Sequence, residues 1–528
     1  MNEEIAEYYE ELYRLYIDEN QPLERRYRQL RESLERVVRE RIQGNSLQTT
    51  DLAARINYVA TQYELDIKEQ NQLHTFRLTS NDILNHRKFP AKEEFLRDLR
   101  AVAFAYRKMF AQDIPLKLFS VLPKQEITSL GKKEKKEYIR RIRVCFDYAD
   151  DTYLYVHPVD IIADEPIRVV YNKPGINHEF EETIKELWRY AQLNLLDVFV
   201  DREGIYTPSF IVLEPDYLID ISSLAECYKD YGSHPANYFL SRLVPIDNAR
   251  PLLLGNIANL FLDEWIHAGE EEPDYIDCMK KAFRQYPIEL AACAELRDPS
   301  KEKEFAKDCR MHFEHIRDIV QHTFLEPGYN LDKKDAVLEP SYICEALGIQ
   351  GRLDYMQRDM SSFIEMKSGK ADEFSIQGKV EPKENNKVQM LLYMAVLEYS
   401  MGQDRRRMHP YLLYTRYPLL YPARASWAQV RRVINLRNRI VAAEYGVQFH
   451  NHSDFTRNLL AQINPEVMNE RKLRGRFWEQ YLKPSISRFR EKLSALEPLE
   501  QAYFYTLYNF ITKELYTSKS GDVDYEGR

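Results

Sequence analysis

Acid and base stand at strand spacing in the stretch GRLDYMQRDMSSFIEMKSGK, residues 351–370. Two runs here, IQGRLDYM and SFIEMK, have strand composition, and residues 358–361 between them suit a turn. Pairing Gln357 antiparallel with Ser362 sets Asp354 directly opposite Glu365. Opposed residues of such a pair carry Cβ atoms about 4.5–5.5 Å apart. Glu365 and Lys367 are two residues apart and therefore share a face. One face then carries Asp354, Glu365 and Lys367 together.

Two carboxylates that close repel unless a proton or a cation lies between them. Mg²⁺ favours one or two carboxylates, several waters and a substrate phosphate. A lysine on the same face can hold a scissile phosphate or orient the attacking water. Metal, carboxylates and lysine together make a phosphodiester-hydrolysis constellation. The ordinary alternative is an edge strand with solvated charges. The next segment, NNKVQMLLYMAVLEYSMG, reads as an apolar helix with Gln389 and Tyr393 at i, i+4, on one helix face.

In this order, GRLDYM, FIEMKSGK and QMLLY resemble the PD-(D/E)xK nuclease superfamily in its RecB-like branch. The resemblance implies that Asp354 and Glu365 bind metal, with the backbone carbonyl of Met366 as a further ligand. It implies that Lys367 is catalytic, and that Gln389 and Tyr393 contact a DNA strand or brace the site. The branch also carries an upstream Gly-x-x-x-His helix whose histidine binds a second metal. Here LLLGNIANLFLDEW has Gly255 and then Asn259 at the histidine position. Asparagine is a weak ligand, and Asp263 or Glu264 on the same helix could substitute. Several relatives hold an iron–sulfur cluster with three cysteines after the nuclease core. No cysteine follows Cys344, so no such cluster is expected. The segment YLIDISSLAECYKDYGSHPANYFLSRLVP is similar to the approach to the nuclease module of nuclease–helicases that process flaps and ends. YNFITKELYTSKSGD resembles the stretch before their motor. No G-x-x-x-x-G-K-[ST] occurs, so a helicase is expected as a further domain or a separate partner.

These residues need a scaffold, and 528 residues provide for several domains. Residues 1–110 read as helical. PLERRYRQLRESLERVVRERI places Leu23, Leu30, Leu34 and Val37 at helical spacing, and Thr/Asp before LAARINYVATQYEL is a cap signal. Residues 111–204 read as a small β-rich domain with strand candidates IPLKLFSVL, IRRIRVCFDY, TYLYVHPV and PIRVVYN, then a helix EFEETIKELWRYAQLNL. GKKEKKEYIRRIR is its densest basic stretch, suited to a solvated hairpin tip or a DNA contact. Residues 205–423 read as an α/β nuclease core, a central mixed sheet flanked by helices, with a helical insertion at 268–335. Residues 424–528 read as helical, with Arg431, Arg432, Arg437 and Arg439 on one segment and a polar tail.

The formal charge of −9 disfavours a generally basic DNA-coating protein but leaves room for a local basic groove. No apolar run approaches the roughly 20 residues of a membrane span. The acidic amphipathic start MNEEIAEYYEELYRLY is not a signal peptide. Cys145, Cys227, Cys278, Cys293, Cys309 and Cys344 form no C-x-x-C, which fits ordinary buried thiols in a reduced cytoplasmic setting.

The sequence thus leads to a Mg²⁺- or Mn²⁺-dependent DNA nuclease acting on single strands or free ends, in repair, replication or phage defence. The alternative is a nuclease-fold DNA-binding module that cuts weakly or not at all, and a scaffold of charged helices is a third reading.

Overall fold

A computed structural model describes residues 3–42, 51–124, 137–163, 165–244, 250–329, 331–374, 379–424, 426–449 and 453–520. It is a mixed α/β structure in two compact units. One comprises residues 1–215, 441–452 and 509–528, and the other 216–440 and 453–508.

The first unit begins with five helices, Glu3–Ile17, Leu23–Ile42, Leu52–Gln62, Ile67–Leu84 and Lys92–Phe110. Leu30, Leu34 and Val37 are buried as their spacing requires, and Leu23 packs partly buried against the same core. Asp51 caps the third helix by accepting from the Ala53 N–H at 2.6 Å.

A small barrel follows. Its strands are β1 (Tyr138–Ala149), β2 (Tyr153–Pro158), β3 (Ile167–Val170), β4 (Gln192–Val200), β5 (Tyr206–Thr207) and β6 (Phe210–Leu213). They run in the order β1-β2-β3-β5-β4-β6, and β1 also pairs with β4, which closes the ring. β3 and β5 are parallel and the other pairs antiparallel. Leu154, Val156 and Val169 alternate inward with β-strand period and fill the interior.

Three expectations for this region are corrected. IPLKLFSVL forms a short helix, Leu116–Phe119, whose Leu118 joins the helical core with Ile114 and Leu122. Pro115 lies at its start and lacks the donor a central strand needs. EFEETIKELWRYAQLNL is helical only to Lys185. Its end becomes β4, which is buried almost continuously and therefore shows no alternation to read. Finally, β5 and β6 carry the barrel past residue 204 to Leu213. Within GKKEKKEYIRRIR, residues 131–136 lie outside the described residues, as do 521–528 of the polar tail.

In the second unit, β7 (Ile219–Asp220) leads to helices Ala236–Leu243 and Arg250–His267. Helices Tyr275–Gln285, Pro287–Ala292 and Pro299–Gln321 occupy the inserted segment. Phe313, Ile316 and Cys309 from it share one core with Phe261, Trp265, Ile364 and Leu413, so it is packed into the unit. Then come β8 (Ala336–Leu338), β9 (Ser341–Cys344), β10 (Ile349–Arg352), β11 (Tyr355–Gln357), β12 (Ser362–Lys367), β13 (Asp372–Phe374), β14 (Lys379–Glu381), β15 (His409–Tyr414) and β16 (Leu419–Pro422).

The main sheet has the order β16-β15-β12-β11-β8, with β12 and β15 parallel. β7-β10-β9 form a second sheet and β13-β14 a hairpin. β12 and β15 are buried on both faces, as central strands of a covered sheet must be. The helix Glu384–Met401 is apolar from Val388 to Leu397 except at Gln389 and the Tyr393 hydroxyl, and is buried throughout that span. It ends at Gly402 in the left-handed conformation, φ +71°.

The helix Trp427–Phe449 supplies a buried Arg437, at 0% exposure. Its guanidinium donates to the Gly348 carbonyl at 3.1 Å and the Tyr217 carbonyl at 2.6 Å. It thereby ties together the residues leading into β10 and β7. Gly348 has φ +64°, and a Cβ there would lie 2.4 Å from the same guanidinium. All six cysteines are buried and free. Among the described residues, no helix is long and apolar enough to cross a membrane.

Candidate active site

The acid-bearing hairpin folds in the register its sequence specifies. Tyr355 pairs with Ile364 and Met356 with Phe363, antiparallel. Continued by one step, that register sets Asp354 across from Glu365. One feature differs. IQGRLDYM is not one strand, because β10 and β11 belong to different sheets. Asp354 stands at the break between them, where its side chain turns onto β12 and accepts from the Met366 N–H at 2.6 Å.

Glu365 is 4% exposed. Its Oε1 accepts from Lys367 Nζ at 2.8 Å and from Gln389 Nε2 at 2.6 Å. Lys367 Nζ also donates to Gln389 Oε1 at 2.9 Å. Glu365, Lys367 and Gln389 therefore form a closed ring of hydrogen bonds across two elements. The second oxygen, Glu365 Oε2, is buried with no hydrogen-bond partner. Such a lone pair costs free energy unless something binds it.

Tyr393, one turn beyond Gln389, is buried and donates to the Arg352 carbonyl at 2.5 Å. It braces the residues just before Asp354. Gly351 makes this approach feasible, since a Cβ there would lie 3.0 Å from Ile221 Cδ1 and 3.1 Å from Tyr393 Cε1. Gln389 and Tyr393 are thus bracing residues in this arrangement.

Burial pushes the Glu365 carboxyl up to about 8, aided by the nearby Asp354 and opposed by Lys367. Burial likewise raises the Asp354 carboxyl, against the Met366 N–H and Lys367. For Lys367, burial lowers the value but Glu365, Asp354 and Glu226 outweigh it, so the ammonium is held charged. The cluster is short of positive charge, which is the condition that favours a cation.

The Arg250–His267 helix reaches the same end of β12. A Cβ on its Gly255 would lie 3.3 Å from Ser368 Oγ. Asn259 lies one turn on and is half-buried. Of the two acids that could replace a histidine, Glu264 turns away and pairs with Lys281. Asp263 is pushed up to about 6, by burial first and then by Glu339 and Asp354, so it belongs to the acidic side of the site.

The sequence did not single out Glu339 or Glu226. Glu339 donates its backbone N–H to the Asp354 carbonyl at 3.1 Å and pairs with Arg352 at 3.2 Å. Its φ of +49° is rare for a non-glycine residue, and a strained backbone beside an acid cluster is a recognisable signal only in three dimensions. Glu226 lies in the SSLAECYKD segment, is held by Lys229 and Asn385 at 3.0 Å each, and feels the charge of Lys367. Burial raises its carboxyl, but these partners bring it below the ordinary range.

The donor set suits a hard divalent cation bound by few protein groups. Asp354 at the β10–β11 break bonds to β12, which carries Glu365, and the Glu365 Oε2 lone pair is unused. Among the described residues, no three His, Cys, Asp or Glu side chains cluster as a complete metal cage. Mg²⁺ needs none, since it retains waters and binds through one or two carboxylates. Compared with models of known protein families and with curated proteins, the chain matches none.

Proposed function

We propose that this chain is a metal-dependent deoxyribonuclease of the PD-(D/E)xK type, acting on single strands or free ends. The observation that carries the reading is the ring of Glu365, Lys367 and Gln389 beside Asp354, with a buried carboxylate oxygen left unpaired. Asp354 and Glu365 would hold Mg²⁺ or Mn²⁺, with the Met366 carbonyl as a further ligand, and such an ion would supply charge stabilisation at the phosphate and activation of water.

The protein's own residues do the rest. Gln389 orients Lys367 by accepting from Nζ, and Glu365 anchors the same ammonium. Lys367, kept charged, stabilises negative charge developing on the phosphate oxygens. Tyr393 fixes the carbonyl two residues before Asp354, so the carboxylate is pre-positioned. A helicase, as a further domain or a partner, would deliver the strand.

Asn259 favours a second reading: a nuclease fold that grips DNA and cuts poorly. Incubating a 5′-labelled single-stranded oligonucleotide with Mg²⁺ or Mn²⁺ separates the two. Cleavage by the parent that falls at least about 100-fold in Asp354→Asn supports the enzyme. Tight DNA binding without product in either metal supports the binding module.

A further inference from the structure

The barrel of the first unit carries an aromatic row on its outer surface that no step of the proposed hydrolysis uses. Tyr148 on β1 pairs with Tyr155 on β2, and Tyr155 pairs with Arg168 on β3. Three adjacent strands therefore place ring, ring and guanidinium side by side, over about 9–10 Å at the usual strand spacing. The Tyr148 and Tyr155 rings are stacked, with centroids 4.2 Å apart and planes 12° from parallel. Arg168 lies 5.6 Å over the ring of Tyr153, which meets Tyr155 edge-on at 6.5 Å.

These rings are not core. Leu154, Val156 and Val169 fill the inside, while Tyr148 is 50% exposed and Arg168 is exposed. A register shift between Phe146 and Tyr148 turns Tyr148 onto the outer face. The platform is also braced. Asp150 accepts from the Tyr155 hydroxyl at 3.0 Å and from the Thr152 and Tyr153 N–H groups at 2.8 and 2.7 Å. Its charge is thus engaged in the β1–β2 turn.

We propose that the outer face of β2 and β3, with Tyr148, is a binding platform for single-stranded nucleic acid, separate from the hydrolytic site. The exposed Tyr148 ring accepts base stacking from any sequence, and a cation on the same face meets the phosphate backbone. A five-stranded Greek-key barrel uses this same face, its second and third strands, for oligonucleotides or oligosaccharides. Arg168 over Tyr153, with exposed Arg141 further along β1, favours the polyanion over a neutral sugar chain. The inference does not require catalysis and stands if the hydrolytic reading fails.

The test is fluorescence anisotropy of a labelled 15-mer oligothymidine with the full chain in EDTA. Tyr148→Ala/Arg168→Glu should weaken binding at least about tenfold, as loss of a stacked base and a phosphate contact implies. Arg168→Glu alone should flatten the salt dependence. Tyr148→Phe should bind like the parent, because the ring that stacks is kept. Double-variant affinity within twofold of the parent overturns the proposal. So does loss of binding to a labelled oligosaccharide while oligothymidine binding is unchanged.

Discussion

At the residue scale, the chemistry turns on Glu365. Its carboxyl, near 8 against an ordinary 4.5, binds a proton more tightly in the folded chain than in the unfolded one. Stability should therefore fall as pH rises from about 4.5 to about 8, and level off above. Glu365→Gln removes that slope. Without metal, it should melt higher than the parent at pH 8.5, with a gain in stability of up to about 5 kcal/mol, and gain nothing at pH 4. Differential scanning calorimetry in EDTA at the two pH values checks this; equal gains at both would remove the titration from the account. The same proton competes with metal, so Mn²⁺ affinity should rise between pH 6 and pH 8.5. Isothermal titration in buffers of different ionisation enthalpy should register proton release on binding. Lys367→Ala should abolish cleavage while leaving circular dichroism unchanged, and activity equal to the parent's would remove lysine from the reaction.

At the element scale, Gly348 lets the Arg437 guanidinium tie the residues leading into β10, the strand before Asp354, to those leading into β7. Gly348→Ala combines a left-handed backbone with a Cβ inside the Arg437 guanidinium, so it should destabilise by more than about 2 kcal/mol. Chemical denaturation of the two proteins tests it, and an unchanged midpoint would mean that Arg437 does not pin these strands. The hairpin was legible in the sequence because period-two spacing and one turn fix its register. Gln389 and Tyr393 were legible because one helical turn puts them on a common face. Asp263 was legible as an acid on the Gly255–Asn259 helix, but Glu339 and Glu226 were not, because each is a single acid brought in from a segment outside the hairpin. The start of β4 reads as helix because a strand buried on both faces has no alternation.

At the scale of the whole molecule, chain order and compact units do not coincide. Residues 441–452 and 509–528 group with the first 215. Within that unit Trp188 stacks on Tyr445 at 3.5 Å, and Tyr516 meets Tyr445 edge-on at 6.2 Å. A fragment of residues 1–215 lacks both partners, so it should melt several degrees below the same unit in the full chain. Matching melting temperatures would contradict this. Helical and β-rich regions were legible from local pattern. Barrel closure was not, because β1 meets β4 across some fifty residues and only the sum of non-local pairings reveals it.

The central claim is that Asp354 and Glu365 share one divalent cation beside Lys367. Anomalous diffraction from crystals soaked in Mn²⁺ measures it most directly. The account predicts a peak about 2.0–2.3 Å from carboxylate oxygens of both residues, absent in Asp354→Asn. A Mn²⁺ peak elsewhere, or none with Lys367 still bridging Glu365 and Gln389, would contradict it.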